Sequence, residues 1–386
     1  MMASAHKLVE LNFPVQIRGK SAFRDEGGHR MQRISQKSRK VDFRGKRCYV
    51  GVDVHKLTYY AAVLSEDGQS MQFSCPANPR TLVFKIQEMG VEIIALSHES
   101  GPTGYELAWY CQGSGIQVVV AATTKIPRKI TPDSKTDRLD GLKLAEYLSK
   151  GMLCGITIPT REEHALRELE RRRQQLVRSR RELRQQLKSF LLKNGIESPK
   201  GLDHWTDGAL RELKEMDLKN PHLRLTLESF LRELEFICSE ANQTQKTLTE
   251  ELSRAGRDGL LQNLRTVPGV GITVSQTFIT EIFRPDRFDR AEEICAYVGL
   301  APITSQSGQG KGRARLVRNG QTYLRSILIE SAWILVRKDP HYRSFYNKIV
   351  GRTNLPQKAI VAVARKLLVI LWRLSVENRF YEFRGR

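Results

Sequence analysis

The sequence has few cysteines and no closely spaced cysteine pair. Its six cysteines are scattered singly along 386 residues, without a Cys-x-x-Cys motif. Zinc ribbons and disulfide frameworks both need closely or regularly spaced cysteines, so we exclude both classes. We therefore expect a protein of a reducing, cytoplasmic compartment.

The sequence also lacks an apolar run that could cross a bilayer. The best candidate, residues 359–372, is interrupted by Arg365 and Lys366, whereas a spanning helix needs about 20 mainly apolar residues. Residues 1–46 carry lysine and arginine throughout but no apolar core of a secretory signal. We expect no membrane partner, and we interpret residues 1–46 as a flexible basic arm.

Acidic residues are scarce relative to basic ones. The chain has 63 Lys and Arg against 42 Asp and Glu, which gives a formal net charge of +21. An excess this large favours a polyanionic partner whose counterions are released on binding, and nucleic acid is the leading candidate. Because 40% of the residues are hydrophobic, the chain can still bury a sizeable core.

Residues 47–158 alternate strand and helix patterns. Apolar runs predict strands at 48–54, 58–64, 70–75, 91–97 and 116–121, and helical spacing predicts helices at 79–89, 103–112 and 136–149. The order βββαβαβ, followed by a helix, is typical of a ribonuclease-H-like α/β fold. In that fold a mixed sheet has helices packed on both faces.

Residues 159–258 predict two long helices. Leu169, Leu176, Leu183 and Phe190 recur every seven residues, which is typical of a coiled-coil seam. A second helical pattern covers residues 221–252. The two helices are expected to pair as a hairpin or across subunits, and we expect a homodimer or a higher even oligomer such as a tetramer.

Arginines crowd the first of these two helices. They are Arg171, Arg172, Arg173, Arg178, Arg180, Arg181 and Arg184. The solvated face of a structural coiled coil would also be charged, but few acids are available here to pair with the arginines. The sequence therefore predicts contacts with nucleic-acid phosphates, chiefly through Arg172, Arg173 and Arg180.

Residues 259–386 predict a mainly α-helical domain that begins with a glycine-rich turn. The motif Val267-Pro268-Gly269-Val270-Gly271 directly precedes a helical stretch at 272–282. Glycines at a helix N-terminus let a phosphate approach exposed backbone amides, as in a helix-hairpin-helix element that grips the DNA backbone. We predict that role for Gly269 and Gly271, with a plain tight turn as the alternative.

A polar, basic loop is predicted further along, at residues 305–315. It contains two serines, Ser305 and Ser307, together with Lys311, Arg313 and Arg315. A flexible linker has a similar composition, but a linker has little need for so much positive charge beside two hydroxyls. We predict that Lys311, Arg313 and Arg315 contact phosphates.

Four acids are placed where they can share a metal site. Asp53 ends the first predicted strand, Glu99 ends the fourth, and Asp137 and Asp140 are three residues apart on a helix. Carboxylate oxygens suit Mg²⁺ or Mn²⁺, and two such ions about 4 Å apart can clamp both oxygens of a phosphodiester. The alternative for Asp137 is that it only caps the helix.

Two histidines lie beside these acids. His55 follows Asp53 by two residues and His98 directly precedes Glu99. A ligand role would explain both positions, but adjacency in the sequence explains them equally well.

Seven segments resemble the DEDD transposases of the IS110 insertion-sequence family. They are GVDVHK at 51–56, ESGPTGY at 99–105, KTDRLDGLKLA at 135–145, REEHAL at 161–166, SFLLKNG at 189–195, VPGVG at 267–271 and YVGLAP at 297–302. The resemblance covers nearly the whole chain after residue 46. Gly141 stands where an alanine is usual, and the basic arm is an addition.

The resemblance implies a RuvC-like first domain and a second, transposase domain with a nucleophilic serine before a glycine. The matching position is Ser307, before Gly308, and Ser305 is the substitute if the alignment shifts. The family forms a covalent serine–DNA link, completed by metal-bound carboxylates of another subunit. A structured non-coding bridge RNA pairs with target and donor DNA. We therefore expect a recombinase of double-stranded DNA, associated with the nucleoid.

Two other functions stay open on the sequence alone. The four acids would also suit a metal-dependent, structure-selective nuclease resembling a junction resolvase, in which Ser307 would be dispensable. A non-catalytic nucleic-acid-binding protein derived from a transposase is favoured if metal never binds.

Overall fold

The computed structural model describes residues 42–126, 137–305, 313–316 and 320–383, and the side chains of 137–139, 303–305 and 313–315 are outside the description. Residues 1–41 of the predicted basic arm therefore lie outside the described residues. The chain divides into two compact units. The first comprises residues 1–99 and 126–153, and the second comprises residues 100–125 and 154–386.

Strands and helices alternate first, and helices then dominate. In chain order the elements are β1 (Arg47–Val54), β2 (Thr58–Ser65), β3 (Ser70–Pro76), α1 (Pro79–Glu88), β4 (Glu92–Glu99), α2 (Glu106–Gly113), β5 (Val118–Ala121), α3 (Asp137–Ser149), α4 (Arg161–Lys193), α5 (Asp207–Glu215), α6 (Pro221–Arg254), α7 (Asp258–Arg265), α8 (Ile272–Ile282), α9 (Ala291–Val298), β6 (Pro302–Ser305), β7 (Arg313–Leu316), α10 (Thr322–Lys338), α11 (Pro340–Thr353) and α12 (Pro356–Glu377). The predicted order βββαβαβ and the helix after it are confirmed.

The sheet is mixed, as the sequence predicts. Its order is β3-β2-β1-β4-β5, with β1 antiparallel to β2 and parallel to β4. Helix α3 packs on β1, β2 and β4. The hydroxyl of Ser97 on β4 donates to the carbonyl of Leu144 on α3 at 3.3 Å, and both residues are buried. Ser97 therefore identifies the face of the sheet that α3 covers.

Gly51 allows α3 to lie directly against the central strand. A β-carbon at position 51 would overlap the carbonyl oxygen of Gly141 and the amide of Ala145, and it would lie 2.9 Å from Cβ of Leu144. A β-carbon at position 141 meets only tight contacts, at 3.2 Å from the carbonyl oxygen of Tyr60. An alanine therefore nearly fits at 141, where the family resemblance expects one, but not at 51.

Gly51→Ala is expected to force α3 away from β1. Overpacking a close-packed interior costs roughly 1–3 kcal/mol, and backbone atoms cannot move aside as a flexible side chain can. The matched control is Gly141→Ala, which should be close to neutral because the gain in helix propensity, up to about 1 kcal/mol, offsets the tight contacts. Thermal unfolding of the two variants measures the difference, and equal midpoints would contradict this account of the β1–α3 contact.

The two long helices of the second unit pair within one chain and run antiparallel. Leu187 and Leu191 of α4 pack with Leu227 and Leu231 of α6, whereas Leu183, one turn earlier on α4, packs with Leu234 and Ile237. The N-terminus of α4 is closed by a capping box in which Thr160 and Glu163 exchange side-chain and backbone hydrogen bonds. The hairpin option of the sequence prediction is therefore the one observed.

The remainder of the second unit is mainly helical. Phe278 on α8, Leu328 on α10 and Leu367 on α12 are fully buried in one common core. The sequence prediction of one continuous loop over 305–315 is wrong, because β6 and β7 form an antiparallel hairpin in which Ser305 pairs with Arg313. Alternating polar and apolar residues at 313–316, Arg-Ala-Arg-Leu, are consistent with a short strand.

The glycine turn between α7 and α8 packs closely against α10 at Gly269. Gly269 has φ +90°, and a β-carbon there would lie 2.6 Å from the carbonyl oxygen of Ser331 on α10. Close packing of two protein segments thus accounts for this glycine. Gly271 is exposed at the N-terminus of α8, with open space around its α-carbon, and phosphate contacts at Gly269 and Gly271 stay predictions.

All six cysteines are free thiols. Burial raises the pKa of Cys111 to about 12, so this thiol is not reactive near neutral pH. No helix among the described residues is long and apolar enough to cross a membrane.

Candidate active site

Asp53 and Glu99 lie side by side at one edge of the sheet. β1 and β4 are parallel neighbours, and both acids follow the registered pair Val52 and His98 by one residue. Adjacent strands are about 4.8 Å apart. Asp53 is two residues after Gly51, and Glu99 is two residues after Ser97, so both carboxylates share the face that α3 covers.

The first turns of α3 bring Asp140 to the same edge. A β-carbon on Gly141 would lie 3.2 Å from the carbonyl oxygen of Tyr60, and Tyr60 pairs with Asp53 across β1 and β2. Asp140 is the residue next to Gly141 in the helix. Asp53 and Glu99 therefore lie at adjacent strand ends, close to the first turn of the helix that carries Asp140. That the three share one metal site stays a prediction.

The acids have partners in the structure. Nε2 of His55 is 3.1 Å from Oδ2 of Asp53, and Nζ of Lys143 is 3.2 Å from Oδ1 of Asp140. The side chains of Asp53 and Asp140 are 25% and 27% exposed, so both are accessible from solvent. Asp137 is the first residue of α3, but its side chain lies outside the described residues.

His98 is not placed to join these carboxylates. It neighbours Glu99 along β4 and therefore projects from the opposite face of the sheet. The side chain is 1% exposed, and burial lowers its pKa below the ordinary value for histidine. Nδ1 lies 3.0 Å from the backbone oxygen of Glu99. His98 is thus a buried residue behind the acids, whereas His55 contacts one of them directly.

The residues present fit a divalent metal in chemical type. The candidate donors are carboxylate oxygens, which Mg²⁺ and Mn²⁺ prefer, and they lie at an accessible sheet edge. Among the described side chains, no three His, Cys, Asp or Glu residues are already close enough to hold an ion. These side chains do not include that of Asp137, the predicted fourth ligand, which lies outside the described residues.

Four arginines on α4 reach the surface and have no acidic partner among the described residues. Arg172, Arg178 and Arg181 are exposed and Arg180 is half-buried. Within the described part of the chain, no acid lies within ion-pair distance of any of these four side chains. A set of cations without counter-charges is the feature that favours phosphate contacts.

Arg173 does not belong to this surface, which corrects the sequence prediction. Its side chain is 4% exposed and forms a two-point ion pair with Glu170 at 2.7 and 2.8 Å, and Glu170 is 0% exposed. The hydroxyl of Thr277 on α8 donates to Glu170 at 2.5 Å, and Arg173 donates to the hydroxyl of Tyr323 on α10 at 3.2 Å. The pair thus connects α4 to two helices of the mainly helical core of the second unit.

Arg173→Met is expected to destabilise the second unit by roughly 3–5 kcal/mol, because it leaves the buried carboxylate of Glu170 without its cation. Arg172→Met is the matched control on the exposed face, and its effect should stay within about 0.5 kcal/mol. Denaturant unfolding measures both. The double variant Glu170→Leu with Arg173→Met should recover most of the loss, and equal stability of the two single variants would refute the role of the buried pair.

Family models match both parts of the chain. A model of DEDD transposases of the IS110 type, described as "Transposase", matches residues 50–194, and the "Transposase IS116/IS110/IS902 family" model matches residues 261–347. The first match includes Asp53, Glu99, Asp137 and Asp140. Together with the acids at the sheet edge, it defines the class as a DEDD-type transposase. The chain belongs to the IS116/IS110/IS902 family.

Curated relatives agree with this assignment. One relative is the protein y4qE of Sinorhizobium fredii, whose name describes it as an inferred transposase. It is 28% identical over 352 residues, which cover 88% of this chain and 83% of that protein. The transposase for insertion sequence element IS1533 of Leptospira borgpetersenii is 27% identical over 83% of this chain and 93% of its own length. The pilin gene-inverting protein of Moraxella bovis is 29% identical over 31% of this chain and 38% of its own length.

Proposed function

We propose that this transposase cuts and rejoins double-stranded DNA through a covalent serine–DNA intermediate. Ser307 is the proposed nucleophile, and Asp53, Glu99, Asp137 and Asp140 are the proposed metal ligands of a RuvC-like domain. The observation that carries the proposal is the placement of Asp53 and Glu99 at adjacent strand ends, close to the first turn of the helix that carries Asp140. Neighbouring carboxylates repel one another, and a bound divalent cation would offset that repulsion.

A bound Mg²⁺ or Mn²⁺ would stabilise the negative charge that develops on the phosphate. The serine contributes the covalent chemistry. Its Oγ forms a bond to phosphorus, its proton passes to solvent, and the bond to the leaving deoxyribose oxygen breaks as that oxygen takes up a proton. The phosphoester conserves the energy of the broken bond, so the reverse attack rejoins a strand without a cofactor.

The position of Ser307 in the chain supports this role. Ser307 itself and Lys311 lie outside the described residues, but β6 ends at Ser305 and β7 begins at Arg313. The serine is therefore one of the seven residues between these two paired strands in the sequence, within the part matched by the family model. We propose that Lys311, Arg313 and Arg315 supply charge to the phosphate.

Gly320 and Arg325, which follow the hairpin in the chain, contact residues at the end of α9, which precede it. Gly320, with φ +121°, precedes α10, and a β-carbon there would lie 2.8 Å from the amide nitrogen of Gly299 and from Val298 at the end of α9. The guanidinium of Arg325 donates to the carbonyl of Gly299 at 3.2 Å. The residue before α10 and the end of α9 are thus in close contact.

The name of one relative also supports the proposal that DNA strands are rejoined. The name of the Moraxella protein states that it inverts a pilin gene, and inversion of a DNA segment requires that strands are both cut and resealed. A nuclease that uses water would leave open ends, so we place this chain with the recombinases.

We further propose that the enzyme acts at the nucleoid as a homodimer or tetramer with a structured guide RNA. The proposed nucleic-acid contacts are the exposed Arg172 and the half-buried Arg180 on α4, Gly269 and Gly271, and the basic arm at residues 1–46. The excess of positive charge supports a large polyanionic partner.

Reconstitution tests the guide. The purified full-length protein, Mg²⁺ and a double-stranded DNA pair carrying the element's ends are combined with RNA transcribed from the non-coding DNA beside the gene. We expect strand exchange only with that RNA and not with a scrambled transcript of equal length. Exchange of equal yield without RNA would contradict RNA guidance while leaving the serine chemistry intact.

A further inference from the structure

A small basic cavity lies between α4 and the turn that precedes α5. Its volume is about 250 Å³, and the side chains that line it include Arg180, Arg181, Arg184, Lys188 and Trp205. Pockets that enclose drug-sized ligands are larger, at roughly 300–1,000 Å³. The space therefore suits one flat group and a neighbouring charge rather than a large ligand.

Trp205 and Arg184 form a stacked pair at this cavity. The guanidinium carbon of Arg184 is 4.8 Å from the centre of the Trp205 ring, and Nζ of Lys188 is 6.0 Å from it. The indole also packs against the apolar contacts between α4, α5 and α6. One side of the ring is thus fixed by the core, and the other side holds the guanidinium in a plane.

The backbone of Trp205 is in a conformation that a bulky residue seldom adopts. Its φ is +55° and its ψ is +45°, in the left-handed region. A glycine or asparagine would satisfy this turn more easily. A tryptophan held here against its backbone preference indicates that the position of the ring matters.

The charges around the cavity are largely uncompensated. Asp203 accepts a hydrogen bond from Lys188 at 2.6 Å, whereas Arg180 and Arg181 have no ion-pair partner among the described residues. Nε of Arg184 is buried without a hydrogen-bond partner in the described part of the chain. Burial and the nearby Arg180 lower the pKa of Arg184 below its ordinary value, so an anion bound here would relieve the repulsion.

We propose that this cavity binds one unpaired nucleotide of a nucleic-acid strand, with its base stacked on the guanidinium of Arg184 and its phosphate held by Arg180, Arg181 and Lys188. A planar guanidinium stacks on π-faces and donates to phosphate in a way that an ammonium cannot. Stacking accepts any base, so the site holds a strand without reading its sequence. The inference rests on the nucleic-acid binding in the proposed function but requires neither Ser307 nor the carboxylates.

A double-mutant cycle between protein and probe tests the site. The probes are a fluorescent RNA hairpin with a four-adenosine loop and the same hairpin with abasic loop residues, and the full-length protein is titrated at fixed salt. For the unmodified protein we expect the abasic loop to bind about tenfold more weakly, which is a typical effect of losing one stacked base. Arg184→Ala should lose about tenfold on the adenosine loop and nothing further on the abasic loop.

Arg178→Ala is the matched control, because Arg178 is exposed on the same helix and does not line the cavity. It should weaken both probes equally and by less than about threefold. The abasic comparison separates stacking from a merely structural effect, since a partly unfolded Arg184→Ala protein would lose both probes alike. That outcome, or equal binding of adenosine and abasic loops by the unmodified protein, would overturn the proposal.

Deoxyribose versions of the same probes distinguish the source of the nucleotide. Tighter binding of the RNA loop would assign the cavity to a ribonucleotide strand, and equal binding would assign it to unpaired nucleotides of either sugar. Both results support the site only if the loss caused by Arg184→Ala persists in the preferred strand.

Discussion

Ser307→Ala is expected to abolish strand exchange while DNA binding stays within about twofold of the parent protein. The substitution removes the hydroxyl whose oxygen attacks phosphorus in the proposed mechanism. No other group replaces a missing nucleophile at a useful rate. Binding is carried by many cationic side chains and does not depend on one hydroxyl. Strand exchange on a labelled DNA pair and electrophoretic binding assays measure the two properties on the same preparations.

Ser305→Ala is the matched control for this substitution. Ser305 is the last residue of β6 and pairs with Arg313, so its backbone role should tolerate alanine, and exchange should fall by less than about threefold. If Ser305→Ala is inactive and Ser307→Ala is active, the nucleophile lies two residues upstream. If both variants exchange strands normally, the serine mechanism is wrong and the metal-dependent nuclease becomes the better account.

Asp53→Asn and Asp140→Asn are each expected to lower strand exchange by more than about a hundredfold. Groups that only support metal ligands are already worth 10–100-fold in metal affinity or activity, and a direct ligand should be worth more. The amide keeps the shape of the side chain but removes the negative charge that holds a hard cation. DNA binding should persist because neither acid is among the basic residues proposed to contact nucleic acid.

Asp67→Asn is the control for these two acids. Asp67 lies in the turn after β2 and its side chain is 51% exposed and paired with Lys46, at the opposite end of β1 from Asp53. Its loss should change exchange by less than about twofold. Calorimetric titration with Mg²⁺ or Mn²⁺ supplies the second readout, and undiminished metal binding by Asp53→Asn would exclude Asp53 as a ligand.

The order of the elements in the first unit was predictable because each signal is local. Valine-rich runs and turn residues mark the strands, and the ends of β1 and β4 place Asp53 and Glu99 at one edge once the two strands are parallel. The need for Gly51 could not be predicted in this way. It depends on the distance at which α3 crosses β1, which no local pattern encodes.

The arginines of α4 show where local patterns fail. Spacing alone does not distinguish Arg172, which is exposed, from Arg173, which is buried against Glu170. The Glu170–Arg173 pair is contacted by Thr277 and Tyr323, more than 100 residues away in the chain. The spacing of Glu170 and Arg173 by three residues was the available signal, since such a pair faces one side of a helix.

Two other positions depend on packing that the sequence does not encode. Gly269 lies in a turn that α10 approaches too closely for any side chain. Trp205 carries no motif, and its importance emerges only from its left-handed backbone and its contact with Arg184. In each case tertiary packing assigns the role, and the sequence supplies only the residue type.

The most direct test of the proposed mechanism is to identify the residue that becomes joined to DNA. The reaction is stopped with denaturant in the presence of Mg²⁺, the DNA is trimmed with nuclease, and the protein is mapped by peptide mass spectrometry. We predict a nucleotide mass on Ser307 in the parent protein and none in Asp53→Asn. DNA that is cut with no nucleotide attached to any serine would contradict the covalent mechanism.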